Sequence, residues 1–425
     1  MKSIKRRSFL GLLGSGLASS SALNTAGAAP ATPAAATPEP PADTPAPLSP
    51  LKSNREDGRS IDGPGFIQAY MKANPPKLAF DPTMDAADFP AWQASIRSKM
   101  TELLALPEVG ETPAPKHVWT EAREGYSLQR WEAYPEPYCV VPFLLLVPEG
   151  VSAQSPAPTV MCFPGSGHSK EALAGEPELD GKKPKKGTEW KWRDNRQALY
   201  FVQQGYVACA VDNPSRCETA SPFRSFIEFS NCAISCGRNY LGISVSQKAH
   251  ILEWLTEQPY VDTKRFAVCG HSLGSDPADA LGMLYPDRVH AVIHNDFCCN
   301  WRERSIALGA YPDGLHHVVP GMFAWYDAPD LQAALAPCPL LFTEGGRTPQ
   351  LNRIRAAYAL ADAPDNVEIH YYKKYLTPEL RPRENDPIPE GVTMAEYFTY
   401  ANVDAPNHRF RPDRALPWLK GVFGV

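Results

Sequence analysis

Between Thr159 and Tyr372 the chain repeats one pattern: a short, continuously apolar run, a longer stretch with helical spacing, then another apolar run. The runs are Thr159–Phe163, Val207–Val211, Phe266–Cys269, Ala291–His294, Leu340–Thr343 and Val367–Tyr372. A strand with one face in water alternates apolar and polar residues, whereas a run that is apolar throughout needs cover on both faces. Such strands separated by helices build βαβ units, so the pattern predicts an α/β chain with a mostly parallel central sheet flanked by helices. Shorter β runs come first, between His117 and Val147. They include Ser127–Ala133 and Cys139–Val147 and are punctuated by Gly125 and the Pro135/Pro137 turn. Ahead of them, Trp92, Ile96, Met100, Leu103 and Leu104 fall near one face of a helical period over Phe89–Leu106, a lead-in helix packing on the main domain. No internal repeat is visible.

The first residues carry a different signal. Lys2, Lys5, Arg6 and Arg7 precede a weakly apolar stretch from Gly11 to Ala28 that ends in the small residues Ala26-Gly27-Ala28. A twin arginine, a short apolar run and a small-residue end predict a Tat-type export signal over residues 1–28, and a periplasmic or secreted product. That run is too short and too rich in Gly, Ser and Ala to span a bilayer stably, so no stable membrane anchor is expected. Residues 29–55 are Pro/Ala-rich with almost no large apolar side chain, and are expected to be a disordered linker. The α/β pattern, with its helical lead-in, then occupies residues 56–425. With 21% charged residues and a net charge of −5 there is no basic field to recruit nucleic acid.

Ten cysteines are present. Tat substrates fold in a reducing cytoplasm, which argues against a disulfide framework. Cys162, Cys209 and Cys269 lie inside apolar runs as core residues, while Cys217, Cys232, Cys236, Cys298 and Cys299 are the ones to test for pairing. No Cys/His spacing matches a zinc site, so no metal and no cofactor are expected.

The run Phe266–Cys269 continues as Gly270-His271-Ser272-Leu273-Gly274, and Asp276–Leu284 then reads as a helix. A strand running through G-x-S-x-G into a helix is the nucleophile elbow of the α/β-hydrolase fold, a sharp turn that presents the serine hydroxyl at the sheet's carboxyl edge. Small residues two positions to either side let the backbone pass close by. Ser272 is therefore the candidate nucleophile. Another strand, Thr159–Phe163, ends in Pro164-Gly165-Ser166-Gly167-His168. In this fold that loop supplies one oxyanion N–H and the residue after the nucleophile supplies the other, so Leu273 and either Gly165 or Ser166 are expected to form the hole. The base follows the last strand, because the chain order is Ser, acid, His. His408 lies in a polar loop before a final amphipathic helix with Leu416, Trp418, Leu419 and Val422. His316 and His317 lie in the wrong chain region for that role, and His271 belongs to the elbow.

On these residues the chain resembles the secreted acetyl xylan esterase-like or dienelactone hydrolase-like α/β-hydrolases of bacteria, over roughly Phe89 to Trp418. The more specific pieces are Asn295-Asp296-Phe297, Trp301-Arg302-Glu303-Arg304, Thr343-Glu344-Gly345-Gly346, Tyr372-Lys373-Lys374-Tyr375 and Asn402-Val403-Asp404 leading to His408. The resemblance implies a hydrolase of small-molecule or oligosaccharide esters. One departure stands out: many relatives continue the strand at Leu340–Thr343 as G-x-x-D, with the aspartate orienting the base, whereas here Thr348 takes that position. Threonine cannot stabilise an imidazolium as a carboxylate does. The acid is then Glu344, at the end of that strand, or Asp296, at the end of the preceding one, or it is missing. Glu344 is preferred because it belongs to the usual acid-bearing strand. Trp301, Trp325 and Tyr326 are candidates for an aromatic wall, and Arg216, Arg238, Arg302 or Arg304 for meeting a carboxylate.

The leading expectation is a serine-dependent carboxylic ester hydrolase that deacylates a carbohydrate such as xylan fragments through an acyl-enzyme. The alternatives are a serine peptidase of the same fold and a catalytically silent, carbohydrate-binding homologue. Nothing in the sequence speaks to the oligomeric state.

Overall fold

The computed structural model describes residues 57, 59–176, 194–220, 225–309 and 315–425. The expected signal (1–28) and the expected linker (29–55) fall outside the described residues.

Nine strands form one sheet among the described residues: β1 Lys116–Arg123, β2 Tyr126–Ala133, β3 Val141–Pro148, β4 Ala157–Phe163, β5 Val207–Val211, β6 Val261–His271, β7 Ala291–Asn295, β8 Leu340–Phe342 and β9 Val367–Ile369. Their order across the sheet is β1-β2-β3-β5-β4-β6-β7-β8-β9. From β5 to β9 every neighbour is parallel. At the other edge β1, β2, β3 and β5 pair antiparallel. The early β runs thus extend a parallel sheet by a meander.

The continuous apolar runs have the predicted cause. In β4, Met161 and Phe163 join one core cluster while Val160 and Cys162 join another; in β5, Cys209 and Val211 divide from Ala208 and Ala210 in the same way. Both faces of the sheet are covered, and each large aliphatic side chain so buried contributes about 1.5–3 kcal/mol relative to exposure. The two largest differences from the expected bounds are in β6 and β9. Strand β6 begins five residues early: Val261 pairs with Ala157 of β4, the polar Asp262–Arg265 bulge out of the ladder, and pairing resumes at Phe266 opposite Thr159. Strand β9 ends at Ile369 rather than Tyr372, since Tyr371 and Tyr372 leave the sheet and pack into the core beside β8.

The lead-in helix spans Phe89–Leu104 and buries Phe89, Trp92, Ile96, Met100 and Leu104, one residue per turn of the 3.6 period. Its end is tied off by a neighbour: Asn239 Nδ2 donates to the carbonyls of Leu103 and Leu104 at 2.9 and 3.1 Å. The same side chain accepts from Gly242 N at 2.7 Å and caps the helix Tyr240–Thr256. One asparagine therefore satisfies orphan groups at two helix ends. All ten cysteines are free thiols, with Cys298 and Cys299 buried and Cys232 and Cys236 exposed. No helix among the described residues is long and apolar enough to cross a membrane.

Topology decides where a site can sit. The chain steps from β4 out to β5 and then returns to β6 on β4's other side, so the order reverses at β4. At such a point the connecting loops diverge and leave a crevice at the carboxyl ends of the strands. Phe163 pairs with Gly270 and His271 with Asn295, which brings the loops after β4, β6 and β7 to one edge.

Candidate active site

At the end of β6 the backbone turns sharply. Ser272 has φ +51°, a left-handed conformation that costs a residue with a side chain about 1–2 kcal/mol. The two glycines of G-x-S-x-G explain how the turn closes. A Cβ on Gly270 would lie 2.1 Å from the Gly274 carbonyl oxygen, and one on Gly274 would lie 2.4 Å from that of Phe163. Neither position accepts a side chain. Ser275 Oγ donates to Gly270 O at 3.0 Å across the same turn, and the helix Ser275–Leu284 begins there. Leu273 and Gly274 are buried while Ser272 keeps partial exposure.

His408 follows a short 3-10 turn at Ala405–Asn407 and enters a loop held by buried side chains. Asn295 Nδ2 donates to Arg409 O at 3.1 Å and its Oδ1 accepts from Arg411 N at 2.9 Å, while Asn195 Oδ1 accepts from Phe410 N at 2.9 Å. The imidazole Nδ1 is hydrogen-bonded to Glu344 Oε2. Asp296 Oδ1 lies farther off, 3.9 Å from the same nitrogen. Glu344 is fully buried two residues past β8, and its other contacts are the Tyr372 hydroxyl at 2.8 Å, Arg409 N at 3.1 Å and the Arg411 guanidinium at 3.5 Å. Ligand atoms of Asp296, Glu344 and His408 all fall within 4.8 Å of one another, but the Arg411 cation beside Glu344 opposes a metal ion there. Thr348 is elsewhere: it opens the helix Thr348–Leu360 and donates to Glu384 Oε2 at 3.0 Å.

The loop after β4 lies against the elbow. A Cβ on Gly165 would be 2.9 Å from His271 Cδ2 and 3.3 Å from Ser272 Cβ. Its neighbours are pinned through their carbonyls, Pro164 O by Asn213 Nδ2 at 2.7 Å and Ser166 O by Arg216 Nη1 at 3.1 Å. Asn213 is in turn held by Lys248 Nζ at 3.2 Å, a buried lysine that also donates to Ser244 Oγ at 2.7 Å. Burial draws the Lys248 ammonium down to about 7, against the raising effect of Asp212. His271 packs between these parts, its ring centroid 4.6 Å from that of His408. Burial first, then the neighbouring His408 and His168, keep it well below the ordinary histidine value, so it stays neutral.

Ser272 and His408 line one cavity of about 180 Å³ with Asp296, Trp301 and Arg304. They make no direct hydrogen bond with each other, a contact that in hydrolases often tightens only when substrate arrives. Of the other sequence candidates, Trp325 is covered by Lys77 and Lys99, Tyr326 is buried away from this cavity, and Arg238 pairs with Glu136 at 2.9 Å. Arg302 is turned to the carbonyl of Met71. What sequence reasoning missed is His317, set aside for its chain region: it lines the cavity, with Nδ1 2.6 Å from Asp276 Oδ2. His294 is there too, held by Asp279 at 3.0 Å. Burial lowers the His294 imidazole, but Asp279 outweighs it and carries it up to about 9.

The electrostatics predict a pH profile. Burial pulls the His408 imidazole down, but the carboxylates of Glu344 and then Asp296 more than offset it and push it up to about 9. A base works only when deprotonated. For a reaction that uses His408 as base, kcat/KM is expected to rise about tenfold per pH unit below that value and level off above it. A midpoint below 7 in the pH–rate profile would show that the two carboxylates do not hold a proton on His408.

Comparison with known proteins agrees with this geometry at the level of fold. Residues 44–421 match the model of the Abhydrolase family. A candidate acetyl xylan esterase from Bacteroides fragilis is similar over 87% of this chain and 97% of its own, with 36% identity and a TM-score of 0.80. A methylesterase is similar over 84% of this chain and 78% of its own at 16% identity and a TM-score of 0.53, a likeness of fold alone. No protein with a curated description matches.

Proposed function

The chain belongs to the Abhydrolase family, and on that premise we propose that it is a carbohydrate ester hydrolase working through Ser272, His408 and Glu344. The observation that carries the proposal is the contact of buried Glu344 with His408 Nδ1, the His408 ring lining one cavity with Ser272 at the carboxyl end of β6. A carboxylate on Nδ1 keeps the proton there and leaves Nε2 as the basic nitrogen. In the proposed reaction the Ser272 hydroxyl proton passes to His408 Nε2 as Oγ bonds to the ester carbon. The N–H groups of Leu273 and of Gly165 or Ser166 hold the oxyanion. The tetrahedral species collapses, the alcohol leaves with the proton from His408, and an acyl-Ser272 ester remains. Water, giving its proton to His408, then attacks that ester and releases the acid and the free serine.

The likeness to a candidate acetyl xylan esterase favours small acyl groups, acetate first, on plant or microbial polysaccharide fragments. A Tat-type signal on residues 1–28 would deliver such an enzyme to those fragments outside the cytoplasm. The silent-homologue alternative rested on the threonine at 348; Glu344 beside His408 weighs against it. The test is a panel of acetylated xylooligosaccharides, aryl acetates, lactones and peptides. Turnover of the acetylated sugars and aryl acetates is expected, and turnover confined to peptides or lactones would remove the carbohydrate-ester reading while leaving the fold intact.

A further inference from the structure

Four residues after Ser272, on the first turn of the helix Ser275–Leu284, Asp276 forms a third histidine–carboxylate pair at the same cavity, beside those of His408 and His294. Its Oδ2 lies 2.6 Å from His317 Nδ1, and the His317 ring stacks on the Trp301 indole with centroids 4.7 Å apart and planes at 27°. A ring held by a carboxylate at Nδ1 and by an aromatic face has little rotational freedom, and it acts on a ligand through Nε2. This pair has no part in the reaction sequence assigned to Ser272, His408 and Glu344.

The cavity around it is small and polar. Besides His294, His317, His408 and the carboxylates of Asp276 and Asp296 it presents Arg304 and Gln332, with Phe297 and Trp301 as its aromatic surface. An alkyl chain filling this space would replace the water around those polar and charged groups with apolar surface, at a cost for each. A polyhydroxylated ring suits it better, having hydroxyls at its edge and an apolar face. An acetyl group offers a single hydrogen-bonding atom, its carbonyl oxygen, and that atom is taken by the oxyanion donors. Any remaining polar contact must therefore go to the alcohol portion of the ester.

We propose that His317, oriented by Asp276, hydrogen-bonds a hydroxyl of the carbohydrate portion and so sets a preference for sugar esters over esters of simple alcohols and phenols. The inference rests on the ester-hydrolase reading above. It makes His317 a specificity-determining residue and Asp276 its positioning residue.

The experiment compares kcat/KM for an acetylated xylooligosaccharide with that for 4-nitrophenyl acetate, in the wild type and in His317→Ala, His317→Gln and Asp276→Asn. Loss of a hydrogen bond to a ligand hydroxyl should lower the sugar-to-aryl ratio by about 10–100-fold in His317→Ala, mostly through KM for the sugar ester. Asp276→Asn should move the ratio in the same direction, and His317→Gln, which keeps a donor at similar reach, should recover part of it. A fall of less than about tenfold in His317→Ala, whether both substrates suffer equally or neither suffers, overturns the proposal. Equal loss on both would instead make His317 part of the general machinery. Should His317→Ala fail to fold, the glutamine and asparagine variants decide by the same ratio, with an unchanged ratio in both counting against it. Wild-type turnover of the aryl ester without the sugar ester overturns this inference alone, whereas turnover of neither strikes the ester-hydrolase reading on which it stands.

Discussion

Replacing Ser272 with alanine is expected to reduce ester turnover by about four to six orders of magnitude, the scale seen when a serine nucleophile is removed and only oxyanion stabilisation and binding remain. Stability should change by no more than about 1 kcal/mol, because alanine keeps the Cβ and Ser272 Oγ makes no hydrogen bond to the described residues. A companion variant separates chemistry from strain. Ser272 sits at φ +51°, where glycine loses nothing and alanine bears the same penalty as serine. Ser272→Gly should therefore be as inactive as Ser272→Ala and yet be the more stable of the two by about 1 kcal/mol, less the extra freedom glycine gives the unfolded chain. Aryl acetate turnover, thermal unfolding and mass spectrometry after a fluorophosphonate probe check all three points. Residual turnover within tenfold of wild type, or probe bound at another serine, would falsify the assignment of Ser272.

That the elbow could be read at all reflects how local it is. Gly270, Ser272 and Gly274 are close in sequence; Gly270 is demanded by Gly274 O within the same turn, and Gly274 by Phe163 O at the end of the neighbouring strand β4. The sheet was legible for a similar reason: strands such as Val207–Val211 are buried on both faces and read as unbroken apolar runs. Where β6 bulges out of its ladder with β4 its residues are polar, and the start at Val261 was invisible to that criterion. The choice between Glu344 and Asp296 could not be settled from the chain, because both lie just beyond adjacent parallel strands and only tertiary packing hydrogen-bonds Glu344 to His408 while leaving Asp296 3.9 Å away. His317 was beyond reach for a different reason. It lies 41 residues from Asp276, between β7 and β8, and only tertiary packing brings its ring to the helix behind the nucleophile.

Glu344→Gln is expected to lower kcat by about ten thousandfold, the loss seen when the triad acid of a serine protease is neutralised without change of shape. The cause can be followed atom by atom. Glutamine must put its NH₂ at one of the two oxygen positions. At Oε1 it would face two donors, Arg409 N at 3.1 Å and the Arg411 guanidinium at 3.5 Å, so that orientation is repelled. At Oε2 it faces the Tyr372 hydroxyl, which can turn to accept, and His408 Nδ1. The amide then donates to Nδ1, drives the imidazole proton to Nε2 and blocks the atom that should take the Ser272 proton. Asp296→Asn lacks this effect: at 3.9 Å it makes no hydrogen bond to His408, and an amide oxygen can still accept from Phe297 N. It should cost about tenfold or less, and should lower the His408 midpoint in the pH–rate profile by removing one of the charges that raise it. The opposite ranking of the two variants would transfer the role to Asp296. If neither costs more than about tenfold, the protein works without a triad acid or is nearly inactive, and the silent-homologue reading gains. Thr348→Asp supplies the independent check. The Thr348 hydroxyl already meets Glu384 Oε2 at 3.0 Å, so an aspartate there faces a like charge rather than His408 and should not rescue Glu344→Gln. Partial rescue would mean that the loop from Glu344 to Thr348 can shift to bring a carboxylate at 348 to the histidine.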